Sequence, residues 1–156
     1  MQTVEALPKA AGEIGVFASA GLLAVLLMQV LPVDLIEQAF VRLDLPPAAI
    51  APFLGTSVFL LGLVGINPII SASVLGALVV RLGIEGLSQA GAAFAMLSAW
   101  SSVMGHSPFI TTVAYAGAIV GRSPVRVGLR WNGPYAVTLL VLSQSAVAAA
   151  IHFGWL

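Results

Sequence analysis

The sequence predicts an all-α integral membrane protein, a helical bundle that contains a re-entrant hairpin and a discontinuous helix. Hydrophobic residues make up 60% of the chain and charged residues only 8%, whereas about a quarter of the residues in soluble domains are charged. The mean hydropathy of +1.07 agrees with this class. The apolar runs are continuous, which is typical of spanning helices, because the strands of a membrane barrel alternate between apolar and polar residues.

The same composition limits the chemistry and the partners. The chain has no cysteine, so it has neither disulfides nor thiolate metal sites. Its formal net charge is zero, which leaves no basic face for a nucleic acid. We therefore expect a multi-pass protein of an inner (plasma) membrane, with the lipid bilayer as its main surroundings and no nucleic-acid partner.

The first two segments are a spanning helix and an interfacial helix. Residues 14–33 carry no charge, and their number matches the ~20 residues that cross the hydrocarbon core. Residues 34–44 interleave charges with Leu35, Ile36 and Phe40. That pattern predicts a short amphipathic helix lying at the membrane surface.

A re-entrant hairpin is predicted over residues 46–80. The uncharged run around it, 45–80, would be about 54 Å long as one straight helix, too long for the bilayer. Pro68 lacks an N–H and disfavours helix at Asn67, so the run bends there into two short arms. A single crossing, or an ordinary loop between two short spans, stays open as an alternative, and counting positive charges on the loops does not decide.

The remaining segments are a broken helix, a basic loop and a last helix. Residues 88–120 carry no charge and are interrupted near the middle, so we predict one discontinuous crossing. The loop at 122–130 holds three of the six basic residues, which predicts a cytoplasmic position. Residues 133–153 carry no charge and form the last predicted helix.

Polar residues cluster at both predicted interruptions. A helix broken inside a membrane leaves backbone groups without partners, and such breaks persist where they line a cavity or bind a solute. The hairpin tip contributes Asn67, Pro68 and Ser71. The break in the second helix contributes Gly105, His106, Ser107, Pro108, Thr111 and Thr112. We predict that these nine residues bind the substrate or its coupling ion.

The side-chain oxygens of these clusters suit a hard cation or a hydrogen-bonded anion. A sodium site near Asn67, Ser71 and Ser107 is the cofactor that this chemistry allows. His106 is the titratable group of the two clusters and can carry a proton. A structural interpretation stands beside each of these: the hydroxyls can bond to their own helices, and His106 can donate to a carbonyl that the break sets free.

The order of these pieces resembles the C-terminal repeat of the ion transporter superfamily, which includes the divalent anion/sodium symporters and the large membrane subunits of TRAP transporters. "GINPIISAS" stands at the place of the hairpin tip, "GHSPFITT" at that of the broken helix, and "GRSPVRVGLRWN" at that of the basic loop. The likeness covers residues 14–153. It implies that Asn67 and Ser71 contact sodium or substrate at the tip, and that Ser107 and Thr111 do so at the break.

This resemblance implies half of an inverted-repeat transporter. The solute site of such a transporter lies between two repeats, and this chain offers one. We therefore expect a second chain, a missing N-terminal repeat or a homo-oligomer to complete the site.

Two functions follow from these observations. The first is part of a secondary active transporter for a small anionic solute, coupled to sodium or protons. The alternative is a non-catalytic membrane scaffold or assembly subunit whose polar residues hold helices together. No enzymatic activity is expected, because the apolar runs hold no paired aspartates and no HExxH motif.

Overall fold

The computed structural model describes residues 15, 18–30 and 32–156 of the chain. These residues form α-helices and one π-helix, packed as a helical bundle. The α-helices are α1 (Ala18–Val30), α2 (Val33–Leu43), α3 (Pro47–Leu63), α4 (Pro68–Leu82), α5 (Gln89–Met104), α6 (Thr111–Ile119) and α7 (Gly133–His152), and the π-helix is Arg126–Trp131. Residues 14, 16, 17 and 31 of the predicted helix 14–33 lie outside the described residues.

Helices α3, α5 and α7 pack against one another and form the centre of the bundle. Small residues make the closest contacts: Ala51 of α3 and Ala95 of α5 are completely buried, and Ala136 of α7 is 1% exposed. Small side chains let helix backbones approach closely, and this packing is common between membrane helices. Helix α4 packs on α3 and α5, and α1 and α2 contact α4 through Met28, Val33 and Leu78.

The predicted hairpin 46–80 corresponds to α3 and α4, which are joined by a turn at residues 64–67. Gly65 has a φ of 99°, a conformation that glycine adopts without steric cost. Pro68 occupies the first turn of α4, where its missing N–H costs no helical hydrogen bond. The 15 residues of α4 extend about 22 Å, less than the hydrocarbon core. Re-entry of this hairpin into a bilayer stays a prediction.

The predicted broken helix 88–120 corresponds to α5 and α6. Helix α5 begins with Ser88, whose hydroxyl accepts a hydrogen bond from the N–H of Gly91 at 2.9 Å, and it ends at Met104. The residues from 105 to 110 are not helical, and Pro108 lies among them. Helix α6 then continues for nine residues.

The basic segment 122–130, predicted as a loop, differs from that expectation in its second half. Residues from Arg126 onward form the π-helix, which leads into α7 through Asn132. Val127 and Gly128 of this helix are buried, whereas Arg126 and Arg130 are exposed. The burial of two small apolar residues against the bundle explains why this basic segment is ordered as a helix.

Much of the outer surface of the bundle is apolar. Large hydrophobic side chains are exposed on several helices, among them Phe94 (58%), Ile119 (83%) and Leu142 (64%). Helix α7 is, among the described helices, the one long and apolar enough to span a membrane, and 28% of its most apolar window is buried inside the bundle. The helix therefore presents most of its apolar surface outward.

Candidate functional site

The hairpin tip and the break between α5 and α6 meet in one cleft. Its volume is about 330 Å³. The tip contributes Asn67 and Pro68, and the break contributes Thr111 and Thr112. Two clusters that lie more than 40 residues apart in sequence are thus brought together by the packing of α3 against α5.

Contact between the two segments is direct. A Cβ atom added at Gly65 would lie 3.2 Å from the ring of Phe109, so that ring lies against the backbone of the tip. Similarly, a Cβ atom at Gly62 would lie 3.0 Å from Val103. Glycine at these positions permits the close approach that forms the cleft.

The N-terminus of α4 opens into the cleft. Asn67 is its N-cap residue, and its side-chain Oδ1 accepts a hydrogen bond from the N–H of Ile69 at 2.9 Å. The amide nitrogen of the same side chain has no partner among the described residues and is exposed. Asn67 therefore has a structural task, and its two amide hydrogens stay available to a solute.

The N-terminus of α6 opens into the same cleft. Its N-cap residue, Ile110, has no side chain that can accept a hydrogen bond. The first helical N–H groups with acceptors are those of Val113 and Ala114, which both donate to the carbonyl of Ile110. In the described part of the chain, the N–H groups of Thr111 and Thr112 have no acceptor. Two unused donors at a helix N-terminus favour an anion.

Two carbonyl groups at the end of α5 accept hydrogen bonds from side chains. The hydroxyl of Thr112 donates to the carbonyl of Met104 at 2.8 Å. The side-chain nitrogen of Asn132 donates to the carbonyl of Gly105 at 2.9 Å. These two carbonyls at the end of α5 therefore already have hydrogen-bond partners.

Ser71 and Ser107, two of the three residues predicted to hold sodium, do not line the cleft. The hydroxyl of Ser71 is buried and donates to the carbonyl of Pro68 at 3.2 Å. Ser107 is completely buried, and its Oγ accepts from the N–H of Phe109 at 3.3 Å. The hydroxyl of Ser71 thus stabilises the first turn of α4, and that of Ser107 stabilises the turn after α5. Of the three residues predicted to hold sodium, Asn67 alone lines the cleft.

His106 lies behind the break, away from the cleft. It is 6% exposed, and its ring stacks on Phe59 with centroids 5.5 Å apart. Its Nδ1 lies 3.0 Å from the carbonyl oxygen of Gly128. Because a carbonyl only accepts, Nδ1 carries the proton and donates it. The histidine therefore fastens the break to the π-helix.

Trp100, in the cleft, and Gln144, in the centre of the bundle, were not predicted from the sequence. Trp100 lines the cleft from α5. Gln144 is buried at the centre of the bundle, where its side-chain nitrogen donates to the carbonyl of Ala95 and to the hydroxyl of Ser98, both at 3.0 Å. An amide in the middle of the uncharged run 133–153 is a signal that could have identified Gln144, because buried amides join helices in apolar surroundings.

Comparison of the chain with protein-family models, with curated proteins and with solved structures finds no match in any of the three.

Proposed function

We propose that this chain is part of a secondary active transporter that moves a small anionic solute, and that the cleft between the hairpin tip and the break is its share of the solute site. The observation that carries the proposal is the convergence of the N-termini of α4 and α6 on one cleft. Helix N-termini carry a partial positive charge. In transporters with broken helices, they face the anionic groups of the substrate.

The donors in the cleft suit a carboxylate, a phosphate or a sulfate. The N–H groups of Thr111 and Thr112 and the amide of Asn67 can all donate hydrogen bonds, and oxyanions accept several at once. Cleft residues carry no formal charge, so the two helix ends supply the attraction. The coupling to sodium or protons is carried over from the superfamily resemblance, and the two helix N-termini at the cleft favour an anion as the ligand.

Membrane insertion belongs to this proposal. An all-helical bundle with buried alanines at its helix contacts and large apolar side chains exposed outside is suited to lipid. We propose that α1, α5 with α6, and α7 cross the membrane and that α3 with α4 re-enters it, as in a multi-pass protein of an inner (plasma) membrane. A second copy or another chain then covers the open side of the cleft.

The test uses Trp100 as a reporter. The chain has three tryptophans, so a Trp131→Phe/Trp155→Phe variant leaves the one that lines the cleft. Purified protein in neutral detergent is titrated with succinate, sulfate and phosphate, each with and without sodium. We expect one of these anions to change the Trp100 emission saturably, and no change with chloride at equal ionic strength.

Two substitutions of Thr111 distinguish the contribution of its backbone N–H to anion binding from that of its hydroxyl. Ile110 has φ −86° and ψ 135°, a conformation that precedes proline without a clash, and proline is tolerated at the first helical position. Thr111→Pro therefore removes one N–H donor and keeps α6. We expect Thr111→Pro to weaken anion binding about tenfold, the value of a lost hydrogen bond to a charged group, whereas Thr111→Val, which keeps the N–H, binds within about threefold of the parent. Equal binding by parent and Thr111→Pro contradicts the site.

A specific observation favours the scaffold alternative. Several polar side chains that the transporter function needs already have partners within the bundle: His106 with Gly128, Ser71 with Pro68, and Thr112 with Met104. A subunit whose polar groups serve packing would show this pattern. If none of the anions changes the Trp100 emission, the scaffold function replaces the transporter.

A further inference from the structure

The basic segment of the chain forms a second, separate groove. It is open, has a volume of about 500 Å³, and is lined by Ser123, Val125, Arg126, Leu129 and Arg130. Arg126 and Arg130 are exposed and lie four residues apart in the π-helix, so both reach the same groove. Its residues are distinct from those of the solute cleft.

The part of the sequence that carries these arginines has no acidic residue. Residues 86–156 contain three arginines and no Asp or Glu. Arg126 and Arg130 make no ion pair with any group that the structure describes. Two guanidinium groups facing one groove without a counter-charge fit an anion with several oxygens. Arginine binds such groups, phosphates in particular, with a two-pronged geometry.

Apolar side chains alternate with the arginines. Val125 is 55% exposed and Leu129 is 41% exposed in the groove itself, and Trp131 follows with 50% exposure. A small hydrophilic anion would leave these side chains in water. An amphiphile with an anionic head and hydrocarbon tails would contact the arginines and the apolar residues together.

The backbone of the groove is held in place from the inside of the bundle. His106 donates to the carbonyl of Gly128, and Asn132 donates to that of Gly105. The hydroxyl of Ser123 accepts from the N–H of Arg126 at 3.3 Å. The π-helix is thus fixed at both ends, and binding costs only the ordering of exposed side chains.

From this arrangement we infer that the groove binds the phosphodiester headgroup of an anionic phospholipid, with Arg126 and Arg130 on the phosphate and Val125, Leu129 and Trp131 against the acyl chains. The inference rests on the proposed function only for its membrane placement, and it does not depend on the solute cleft. It agrees with the predicted cytoplasmic position of this segment, since the cytoplasmic leaflet carries anionic lipids.

The test compares two double variants with the same net charge. Arg126→Gln/Arg130→Gln changes the groove, whereas Arg42→Gln/Arg122→Gln removes two exposed arginines outside it. Each protein is purified in neutral detergent, and its thermal unfolding is measured with short-chain phosphatidylglycerol, with phosphatidylcholine of the same chain length, or with inorganic phosphate.

We expect phosphatidylglycerol to raise the unfolding temperature of the parent and of the control variant by about 3 °C more than phosphatidylcholine does, and to have no such effect on the groove variant. Arg126→Lys/Arg130→Lys, which keeps the charge but loses the two-pronged geometry, should regain part of the shift. An equal shift in both Gln variants overturns the site, and an equal effect of inorganic phosphate overturns the lipid as its occupant.

If phosphatidylglycerol does not stabilise the parent at all, the inference is wrong and an acidic surface of another protein becomes the candidate for the groove. The Trp100 titration of the Trp131→Phe/Trp155→Phe variant, measured separately, keeps the two proposals apart. If phosphatidylglycerol raises the unfolding temperature but no anion changes the Trp100 emission, only the solute cleft is contradicted. If an anion changes the Trp100 emission but phosphatidylglycerol does not raise the unfolding temperature, only the groove is contradicted.

Discussion

Gly55 lies at the closest contact between the three central helices. A Cβ atom added there would lie 2.5 Å from Oε1 of Gln144 on α7 and 2.6 Å from the carbonyl oxygen of Ala95 on α5. Oε1 of Gln144 is buried and has no hydrogen-bond partner within the described part of the chain. The Cα–H of Gly55 is directed at these two oxygens, and such weak contacts recur between closely packed helices.

We predict that Gly55→Ala destabilises the protein, because its methyl group would overlap a backbone oxygen that cannot move without shifting α5. The expected loss is about 1–3 kcal/mol of unfolding free energy, measured by thermal unfolding in detergent. Gly76→Ala in α4 is the matched control, since its methyl group would lie 3.8 Å from the flexible end of Met96. An equal effect of both substitutions on the unfolding free energy would contradict the close approach of α5 and α7 to Gly55.

The hydrogen bond between His106 and Gly128 is expected to stabilise the fold. His106→Phe keeps a ring stacked on Phe59 but removes the donor to the carbonyl of Gly128. Leaving a buried carbonyl with one partner fewer costs about 1–3 kcal/mol, and we expect thermal unfolding to show this loss. His152→Phe, at an exposed position, should be neutral. A neutral His106→Phe would contradict the structural task of this histidine.

Residue types predicted the two clusters, but they could not predict which members face the cleft. Asn67, Thr111 and Thr112 lie in it, whereas Ser71, His106 and Ser107 are buried beside it. A serine or histidine at a break can hydrogen-bond to a solute or to a backbone carbonyl that has lost its helical partner. The sequence does not distinguish between these two roles. In the structure, the carbonyl of Gly128 lies beside the ring of His106, so this histidine bonds to the backbone.

The start of helix α4 is well defined by its sequence. Asn67 caps its N-terminus and Pro68 fixes its first turn, so both the tip and the helix start follow from two adjacent residues. The same side chain lines the cleft, so substitutions can separate its capping role from the solute binding that we propose.

We predict that Asn67→Ala lowers the unfolding free energy by about 1 kcal/mol through loss of the cap. Asn67→Ser keeps a capping oxygen and should retain the stability, but it removes the amide donors. If the amide binds the solute, Asn67→Ser weakens anion binding in the Trp100 titration without lowering the unfolding temperature. Unchanged binding by Asn67→Ser would remove Asn67 from the site.

The π-helix could not be predicted from its sequence. Three arginines within nine residues indicate a solvated loop, and that expectation holds up to Ser123. The following residues are helical because Val127 and Gly128 fit beneath the break, where a Cβ atom at Gly128 would collide with the carbonyl oxygen of His106. This fit depends on a tertiary contact between segments more than 20 residues apart, which local pattern does not contain.

In the whole molecule, large apolar side chains lie both inside and outside the bundle. Leu54, Val58 and Val103 are buried with small residues between α3, α5 and α7, while other large apolar side chains are exposed on the outer surface. Composition predicted the apolar character and the helical class. The convergence of the tip and the break required the structure, because helix packing sets which ends of the helices meet.

We propose that α3 and α4 form a re-entrant hairpin whose tip meets the break between α5 and α6 within a membrane. Because the chain has no cysteine, single substitutions can report the side of each segment. Arg42→Cys precedes the hairpin, Glu85→Cys follows it, and Arg126→Cys lies in the basic segment. All three positions are exposed.

The most direct measurement is labelling of these three variants in intact cells with a membrane-impermeant thiol reagent, followed by labelling after permeabilisation. We predict that the cysteines at positions 42 and 85 react from outside, and that the one at 126 reacts only after permeabilisation. Reaction of positions 42 and 85 from opposite sides would mean that 46–80 crosses the membrane once, and would contradict the hairpin and the solute site built on it.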